Sequence, residues 1–301
     1  MDGNLCQIQS GPKTGDSIPL ILFHDAGGTI FQYLLLEDLQ RPVYGMANSR
    51  FDSGGNWDHG IREMGVVYAH KIRSVINSGK VILGGLFGPR SSSKHSMMRS
   101  FGLLSGAIGW SLGGCVALEV ASRLAHLPQY SVEGIIMIDS VFPCRKVTDN
   151  YPRTLESVEA ACPLPQELPS DRRTQSLHCL LSGHNMLREW SPPAFSHPAR
   201  PLPPMVLLQA TGKVYGESES THYFDLVRDS GYLGWEEYTS APFIARLEIP
   251  GHHFGVFDEA HVCPAPCLQV SHDPKTYIFC FQVPPYCRAA QECLFLAGEQ
   301  K

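Results

Sequence analysis

Three residues that are far apart in the chain have the side-chain types that nucleophilic catalysis requires. Ser111 lies in Gly109-Trp110-Ser111-Leu112-Gly113, a G-x-S-x-G pattern. Asp139 directly follows the apolar run GIIMI, and His253 follows the run FIARLEI and a Pro-Gly turn. A serine hydroxyl attacks only when a base takes its proton, and an acid must orient that base. The order serine, acid, histidine therefore predicts a catalytic triad.

Two glycine-rich turns are predicted to surround the nucleophile. An amphipathic helix follows G-x-S-x-G, as a strand-turn-helix elbow requires, and the elbow leaves the serine hydroxyl exposed. The N–H of Leu112 would then face a developing oxyanion, opposite the N–H of Ala26 in the turn His24-Asp25-Ala26-Gly27-Gly28. A glycine-rich turn with an incidental serine is the structural alternative. The order of the elements argues against His24 and Asp25 as a second catalytic pair.

Each member of the predicted triad has neighbours or alternative roles to consider. An aspartate at a strand end, such as Asp139, also forms turns or caps helices. Glu133 is a poorer acid because it precedes its strand, and Asp258 comes after the histidine. Consecutive side chains diverge, so only one of His252 and His253 can serve, and the other is a surface or supporting residue.

The sequence around these residues alternates between short apolar runs, which predict strands, and segments with helical spacing of apolar residues, which predict helices. Strands are predicted at 18–23, 42–47, 80–83, 134–138, 205–210 and 243–249. Helices are predicted over about 30–39 (capped by Thr29), 59–76 and 116–124, with weaker helical segments at 155–161 and 175–187. This alternation predicts an α/β fold, a mostly parallel sheet with helices on both faces. The candidate residues follow strands, at the edge where such sheets bind ligands.

Composition excludes several other classes of function. The chain has 301 residues and a net charge of −5, without the basic cluster that binding to nucleic acid requires. No apolar run approaches the length of a membrane helix, and the N-terminal residues lack a secretory signal pattern, so we expect a cytoplasmic protein with no membrane contact. Its ten cysteines form no C-x-x-C pair, and we expect neither a metal nor a cofactor.

The motifs FHDAGGT, RPVYGMANSRF, WSLGG, IDSVFP, LGWEEY and PGHHFGVFD together resemble the thioesterase branch of the α/β-hydrolases. They are most similar to fungal thioesterases, both the releasing domains of polyketide and nonribosomal-peptide synthases and stand-alone enzymes such as the AM-toxin type. The resemblance covers roughly residues 18–83, 109–142 and 203–262. It implies an α/β-hydrolase fold over the single domain 1–301, with a variable lid at about 144–204.

The resemblance also implies a reaction. Ser111 would be the nucleophile, Asp139 the acid, His253 the base, and Ala26 and Leu112 the oxyanion donors. The substrate would be an acyl, polyketide or peptidyl thioester on the phosphopantetheine arm of a carrier protein, in secondary-metabolite or toxin biosynthesis. A transacylase or cyclase of the same fold is the enzymatic alternative.

Two segments depart from the resemblance. In similar proteins the strand that ends near Gly84 runs straight into the serine turn, whereas residues 85–109 intervene here. We interpret 85–109 as translated intron sequence; a harmless surface excursion is the alternative, and 103–108 offers a substitute strand. The tail 263–301 is rich in cysteine and proline and is atypical. If 85–109 displaces the serine turn, the product is inactive or only a binding protein.

Overall fold

The computed structural model describes residues 5–12, 17–36, 38–84, 111–162, 164, 168–196, 198, 201–216, 221–240, 242–256, 276–278 and 295–297. For residues 32, 35, 111, 276–278 and 295–297 it describes the backbone alone. The suspected insertion 85–109, with the possible substitute strand at 103–108, and most of the tail lie outside the described residues.

A seven-stranded sheet forms the centre of the fold, in the order β1-β3-β2-β4-β5-β6-β7. Its strands are β1 (Leu5–Ser10), β2 (Leu20–Phe23), β3 (Pro42–Met46), β4 (Gly79–Gly84), β5 (Tyr130–Ile138), β6 (Met205–Ala210) and β7 (Ala245–Ile249). All neighbouring strands are parallel except β1, which runs antiparallel to β3. The predicted α/β architecture is confirmed. A separate pair, β8 (Thr276–Ile278) and β9 (Phe295–Ala297), is antiparallel.

Five helices accompany the sheet in the described part of the chain. They are α1 (Gly60–Val75), α2 (Ser111–Leu124), α3 (Arg145–Thr148), α4 (Leu155–Ala161) and α5 (Ser170–Glu189). α2 packs on α1 and on the central strands, and its apolar residues share one core cluster with those strands. A smaller cluster covers the opposite face, where the 3-10 helix Phe31–Leu35 contributes Tyr33.

Three expectations about local structure need correction. The predicted helix over 30–39 is only the 3-10 helix Phe31–Leu35, and Thr29 does not cap it. Thr29 instead donates its N–H to the Asp25 carboxylate at 3.2 Å, which holds it in the preceding turn. Strand β1 was not predicted, because LCQIQS mixes polar and apolar residues at a half-exposed sheet edge. Helix α5 begins at Ser170, earlier than the segment predicted at 175–187.

The segment between β5 and β6 holds α3, α4 and α5, within the range predicted for a lid. α5 lies along the turn after β3, where Ser182 Oγ donates to the Gly55 carbonyl at 2.9 Å. At its end, Trp190 Nε1 donates to the buried Glu119 carboxylate of α2 at 3.0 Å. These bonds hold the segment directly against the elements that carry the catalytic candidates.

Gly84, the last residue of β4, is required by the close approach of β5. A Cβ at this position would lie 2.6 Å from the Ile136 carbonyl oxygen, which belongs to the paired strand. We expect Gly84→Ala to lower the free energy of unfolding by about 1–3 kcal/mol, because the sheet must separate to admit the methyl group. Urea denaturation measures this. Gly134→Ala is the matched control, since its Cβ would make only an ordinary contact of 3.4 Å; an equal loss in both variants would contradict the steric explanation.

Candidate active site

Asp139 directly follows β5 in a strained backbone conformation and is fully buried. Its φ is +40°, in the left-handed region that few non-glycine residues adopt. Its N–H donates to the Leu208 carbonyl at 2.7 Å, and its Oδ1 accepts the Ala210 N–H at 2.9 Å. These bonds direct the carboxylate across the end of the neighbouring strand β6. Strain of this kind persists where the surrounding structure fixes it, often at functional sites.

His253 meets this carboxylate from the turn after β7. Gly251, with a φ of +95°, makes the turn, and its carbonyl accepts the Gly212 N–H at 2.7 Å. His253 is fully buried and donates from Nδ1 to Asp139 Oδ2 at 2.8 Å. Phe224 lies against the imidazole, with ring centroids 3.8 Å apart. The hydrogen bond fixes the tautomer, so Nε2 is the nitrogen left to act as a base.

Burial and charge act in opposite directions on this pair. Burial raises the pKa of Asp139, but the hydrogen bond from His253 and the charge of Arg228 outweigh it and lower that pKa to about 2. Burial is also the largest influence on His253 and lowers its pKa below the ordinary value, although Asp139 opposes it. At neutral pH the pair is therefore a carboxylate and a neutral imidazole, the states that a general base and its orienting acid require.

Ser111 is the first residue of α2, and its side chain lies outside the described part of the structure. The backbone of α2 nevertheless has a defined place. A Cβ on Gly113 would lie 3.2 Å from the His24 carbonyl at the end of β2, and one on Gly114 would overlap Ser140, next to Asp139. The start of α2 therefore lies at the sheet edge that carries Asp139.

Ala26 and Leu112, the two predicted oxyanion donors, come together below helix α5. A Cβ placed on Gly183 would lie 3.4 Å from the Ala26 Cβ and 3.7 Å from the Leu112 Cδ2. Both residues are buried. The turn after β2 and the first turn of α2 thus meet at one place, as a hole formed by two backbone N–H groups requires.

Gly183 offers a test of this contact. Gly183→Ala should keep activity and gain up to about 1 kcal/mol in the free energy of unfolding, because alanine favours a helix interior and its methyl group fits. Gly183→Leu should push α5 away from Ala26 and Leu112 and lower kcat/KM roughly 100-fold, since small displacements are costly in active sites. Thioester hydrolysis and urea denaturation of both variants measure this; equal activities would contradict the contact.

The alternative candidates have structural roles. His24 Nε2 lies 2.8 Å from the Tyr68 hydroxyl, and burial lowers the pKa of His24 to about 4, so it is neutral. Asp25 accepts from Thr29 in its own turn. His252 Nδ1 accepts the Phe254 N–H at 3.2 Å, whereas His253 Nδ1 is the nitrogen bonded to Asp139. Glu133 pairs with Lys80 at 3.3 Å. Asp258 lies outside the described residues.

Sequence reasoning missed a buried arginine and a polar cluster beside the site. Arg228 binds the Asp139 carboxylate with both terminal nitrogens. Tyr223, the first residue of the 3-10 helix Tyr223–Val227, places its hydroxyl 3.0 Å from His184 Nε2 and 3.3 Å from Cys162 Sγ, linking α5 to the segment after β6. The only sequence signal was a charged Asp-x-x-Arg spacing inside the apolar stretch YFDLVR.

The part of the chain that the structure describes gives two further findings. It contains no helix long and apolar enough to cross a membrane. It also contains no group of three or more His, Cys, Asp or Glu residues placed to hold a metal ion.

Comparison with known proteins identifies the family. A family model described as "Thioesterase domain" matches residues 107–263. The chain is 34% identical over 261 residues to "Thioesterase frbD" of Dothideomycetidae sp. (strain 11243), covering 85% of this chain and 87% of the relative. It is 32% identical over 182 residues to "Nonribosomal peptide synthetase imqB" of Aspergillus flavus, covering 60% of this chain and 4% of that protein.

A solved structure agrees with the fold. The NocB thioesterase domain, crystallised as a covalent complex with a fluorophosphonate nocardicin G analog, superposes with a TM-score of 0.57 at 20% identity. The alignment covers 85% of this chain and 93% of that domain. At this level of identity the likeness concerns the fold. The family model and the relatives show that the chain belongs to the thioesterase domain family and is a thioester hydrolase.

Proposed function

We propose that this thioesterase releases an acyl, polyketide or peptidyl chain from the phosphopantetheine arm of a carrier protein. Ser111 is the nucleophile, His253 the general base and Asp139 the orienting acid. The observation that carries the proposal is the buried pair of Asp139 and His253, joined at 2.8 Å. It lies at the same edge of the sheet as the start of α2, where Ser111 stands.

The proposed reaction proceeds in two half-reactions. In the first, Ser111 Oγ forms a bond to the thioester carbonyl carbon while His253 Nε2 takes the hydroxyl proton. The carbonyl electron pair moves onto oxygen, next to the N–H groups of Ala26 and Leu112. The intermediate collapses, the C–S bond breaks, and His253 returns the proton to the leaving sulfur.

The second half-reaction repeats these steps with a different nucleophile. Water gives a proton to His253 and attacks the acyl-serine, the C–O bond to Ser111 breaks, and His253 reprotonates Ser111. The products are a carboxylic acid and the thiol of the carrier arm. These steps balance with the chain's own groups and water, so the proposal assigns no cofactor.

Two observations support the remaining parts of the proposal. The similarity to a nonribosomal peptide synthetase supports a carrier-bound substrate in secondary-metabolite biosynthesis. Four buried cysteines (Cys115, Cys144, Cys162 and Cys179) are free thiols, which supports a reducing compartment such as the cytoplasm.

The test combines thiol release with identification of the nucleophile. The full chain is incubated with an acyl N-acetylcysteamine thioester, and free thiol and products are followed by absorbance and mass spectrometry. Free acid supports hydrolysis, whereas a lactam, a lactone or transfer to an added alcohol supports a cyclase or transacylase. A fluorophosphonate probe should label the peptide that contains Ser111; a label on another residue would overturn the assignment.

A variant that lacks residues 85–109 is the matched comparison for the inserted segment. If the full chain neither hydrolyses thioester nor reacts with the probe while the variant does both, the insertion disables the enzyme. Sequencing the transcript across codons 80–115 then shows which of the two forms the cell makes. Inactivity of both folded forms would refute the proposed function.

A further inference from the structure

An arginine, Arg228, bonds both oxygens of the Asp139 carboxylate that His253 also contacts. Arg228 donates from Nη1 to Asp139 Oδ1 and from Nη2 to Asp139 Oδ2, the second at 2.9 Å. Oδ1 also accepts the Ala210 N–H, and Oδ2 also accepts His253 Nδ1. Each carboxylate oxygen thus has two donors. This set of bonds holds the carboxylate plane against rotation, and a bidentate fork does so better than a point charge.

Arg228 is itself held in place by its own segment and by β6. Its Nε donates to Asp225 Oδ1 at 3.2 Å, three residues earlier, and its Nη1 donates to the Ala210 carbonyl at 3.1 Å. The other oxygen of Asp225 accepts the Val214 N–H at 2.8 Å. The side chains of Asp139, Asp225 and Arg228 are at most 5% exposed. The guanidinium therefore belongs to a rigid, water-excluded network that ends on the catalytic carboxylate.

Stability alone is a weak explanation for such a network. Burying ions costs free energy, and replacing a buried ion pair by apolar residues is often neutral or stabilising. Here two carboxylates share one guanidinium, so the three groups carry a net charge of −1. That charge is balanced when His253 takes a proton, as it does in each half of the reaction.

We infer that Arg228, anchored by Asp225, is a positioning residue that fixes Asp139 in its hydrogen bond to His253 and extends the activity of the triad toward acidic pH. The inference rests on the proposed function for its catalytic meaning. Its structural part, the control of His253 by Arg228, can be measured without any substrate.

The electrostatic surroundings of His253 support this role. Besides Asp139, the groups that act on it are Arg228 and Asp225 from the segment after β6, which lower and raise the pKa of His253 respectively. His222 on the same segment and His184 on α5 also face it, and burial lowers the pKa of each to about 3. Both are therefore neutral above pH 4, so the charges that tune His253 in the working range are those of Asp139, Arg228 and Asp225.

Three single variants separate charge from geometry. Arg228→Gln removes the charge and keeps an amide donor. Arg228→Lys keeps the positive charge and loses the two-pronged hydrogen bonding of the guanidinium to Asp139. Asp225→Asn removes the anchoring charge. The titration of His253 is read from its imidazole resonances by NMR in the full chain, assigned by their absence in His253→Asn, and the acid limb of kcat/KM is measured in parallel.

The expected shifts have opposite signs. In Arg228→Gln the midpoint of the His253 titration should rise by about one pH unit or more, because a nearby positive charge is lost. In Asp225→Asn it should fall, because a negative charge is lost. Arg228→Lys should leave the midpoint nearly unchanged while the plateau of kcat/KM falls about 10- to 100-fold, because the carboxylate is less well fixed.

Each result decides a separate question. An unchanged His253 midpoint in both charge variants, or an unchanged plateau in Arg228→Lys, would overturn the inference and leave Arg228 as a structural ion pair. If Arg228→Gln does not fold, Asp225→Asn and Arg228→Lys still carry both tests. If the chain cleaves no thioester but the midpoints shift as stated, the control of His253 by Arg228 stands and the proposed function fails.

Discussion

Replacing Ser111 by alanine is expected to lower kcat for thioester hydrolysis by roughly 10⁴- to 10⁶-fold, as for other serine nucleophiles. Without the hydroxyl no acyl-enzyme forms, and only the oxyanion donors and substrate binding remain to accelerate attack by water. The variant should also lose all labelling by the fluorophosphonate probe. Stopped-flow detection of thiol release, with mass spectrometry of the intact protein, measures both effects.

The comparison variants for this prediction are Ser111→Cys and Ser74→Ala. A cysteine at position 111 keeps a nucleophile and should still accumulate an acyl-enzyme, detected as a mass increase. Ser74 is exposed on α1, where its hydroxyl donates to the Lys71 carbonyl at 2.8 Å, so its replacement should leave activity unchanged. Substantial turnover by Ser111→Ala would show that another group is the nucleophile.

Replacing Asp139 by asparagine is expected to lower kcat by about 10⁴-fold, because an amide opposite His253 Nδ1 favours the wrong imidazole tautomer. It should also lower the free energy of unfolding by about 3–5 kcal/mol, because Arg228 would keep its buried charge and lose its main partner. Kinetics at pH 8 and urea denaturation measure the two effects. Glu133→Gln is the matched control, an acid in the same strand that pairs with the half-exposed Lys80 rather than with a buried arginine.

We expect a single group, His253, to control the loss of activity at acidic pH. Asp139, with a pKa of about 2, remains ionised through the whole range in which the protein can be assayed. Loss of activity on acidification should therefore follow protonation of His253, whose pKa is lowered by burial, with a midpoint below 6.5. Full activity in Asp139→Asn would mean that His253 is oriented by another acid.

The positions of Asp139 and His253 could be predicted because each follows a sequence run that forms a parallel strand, the buried end of β5 and the alternating, partly exposed edge strand β7. GIIMI and FIARLEI end β5 and β7, and parallel strands direct their carboxyl ends to one edge. The runs are short and bounded by polar residues, so the strand ends are well defined in the sequence. The same logic placed Ala26 after β2, whereas the G-x-S-x-G motif and the helix that follows it placed Leu112.

The features that sequence analysis missed depend on contacts between distant segments. Arg228 bonds a residue 89 positions away, and an Asp-x-x-Arg spacing alone does not distinguish a surface pair from a buried one. Strand β1 forms only because β3 offers an open edge. The helix expected at 30–39 fails because Asp25 holds Thr29 and the exposed Phe31 and Leu34 have no core to cover.

The glycines of α2 have a consequence for how the enzyme tolerates changes of chain length. Gly113 and Gly114 seat this helix directly on the ends of β2 and β5, and β4 occupies the sheet position between those two strands. The place of the helix is thus set by steric fit to the sheet rather than by its peptide connection to β4. Additional residues in that connection then act mainly through the entropy of loop closure, which grows only with the logarithm of length. We therefore expect the full chain and the variant that lacks 85–109 to differ little in the free energy of unfolding, whether or not they differ in activity.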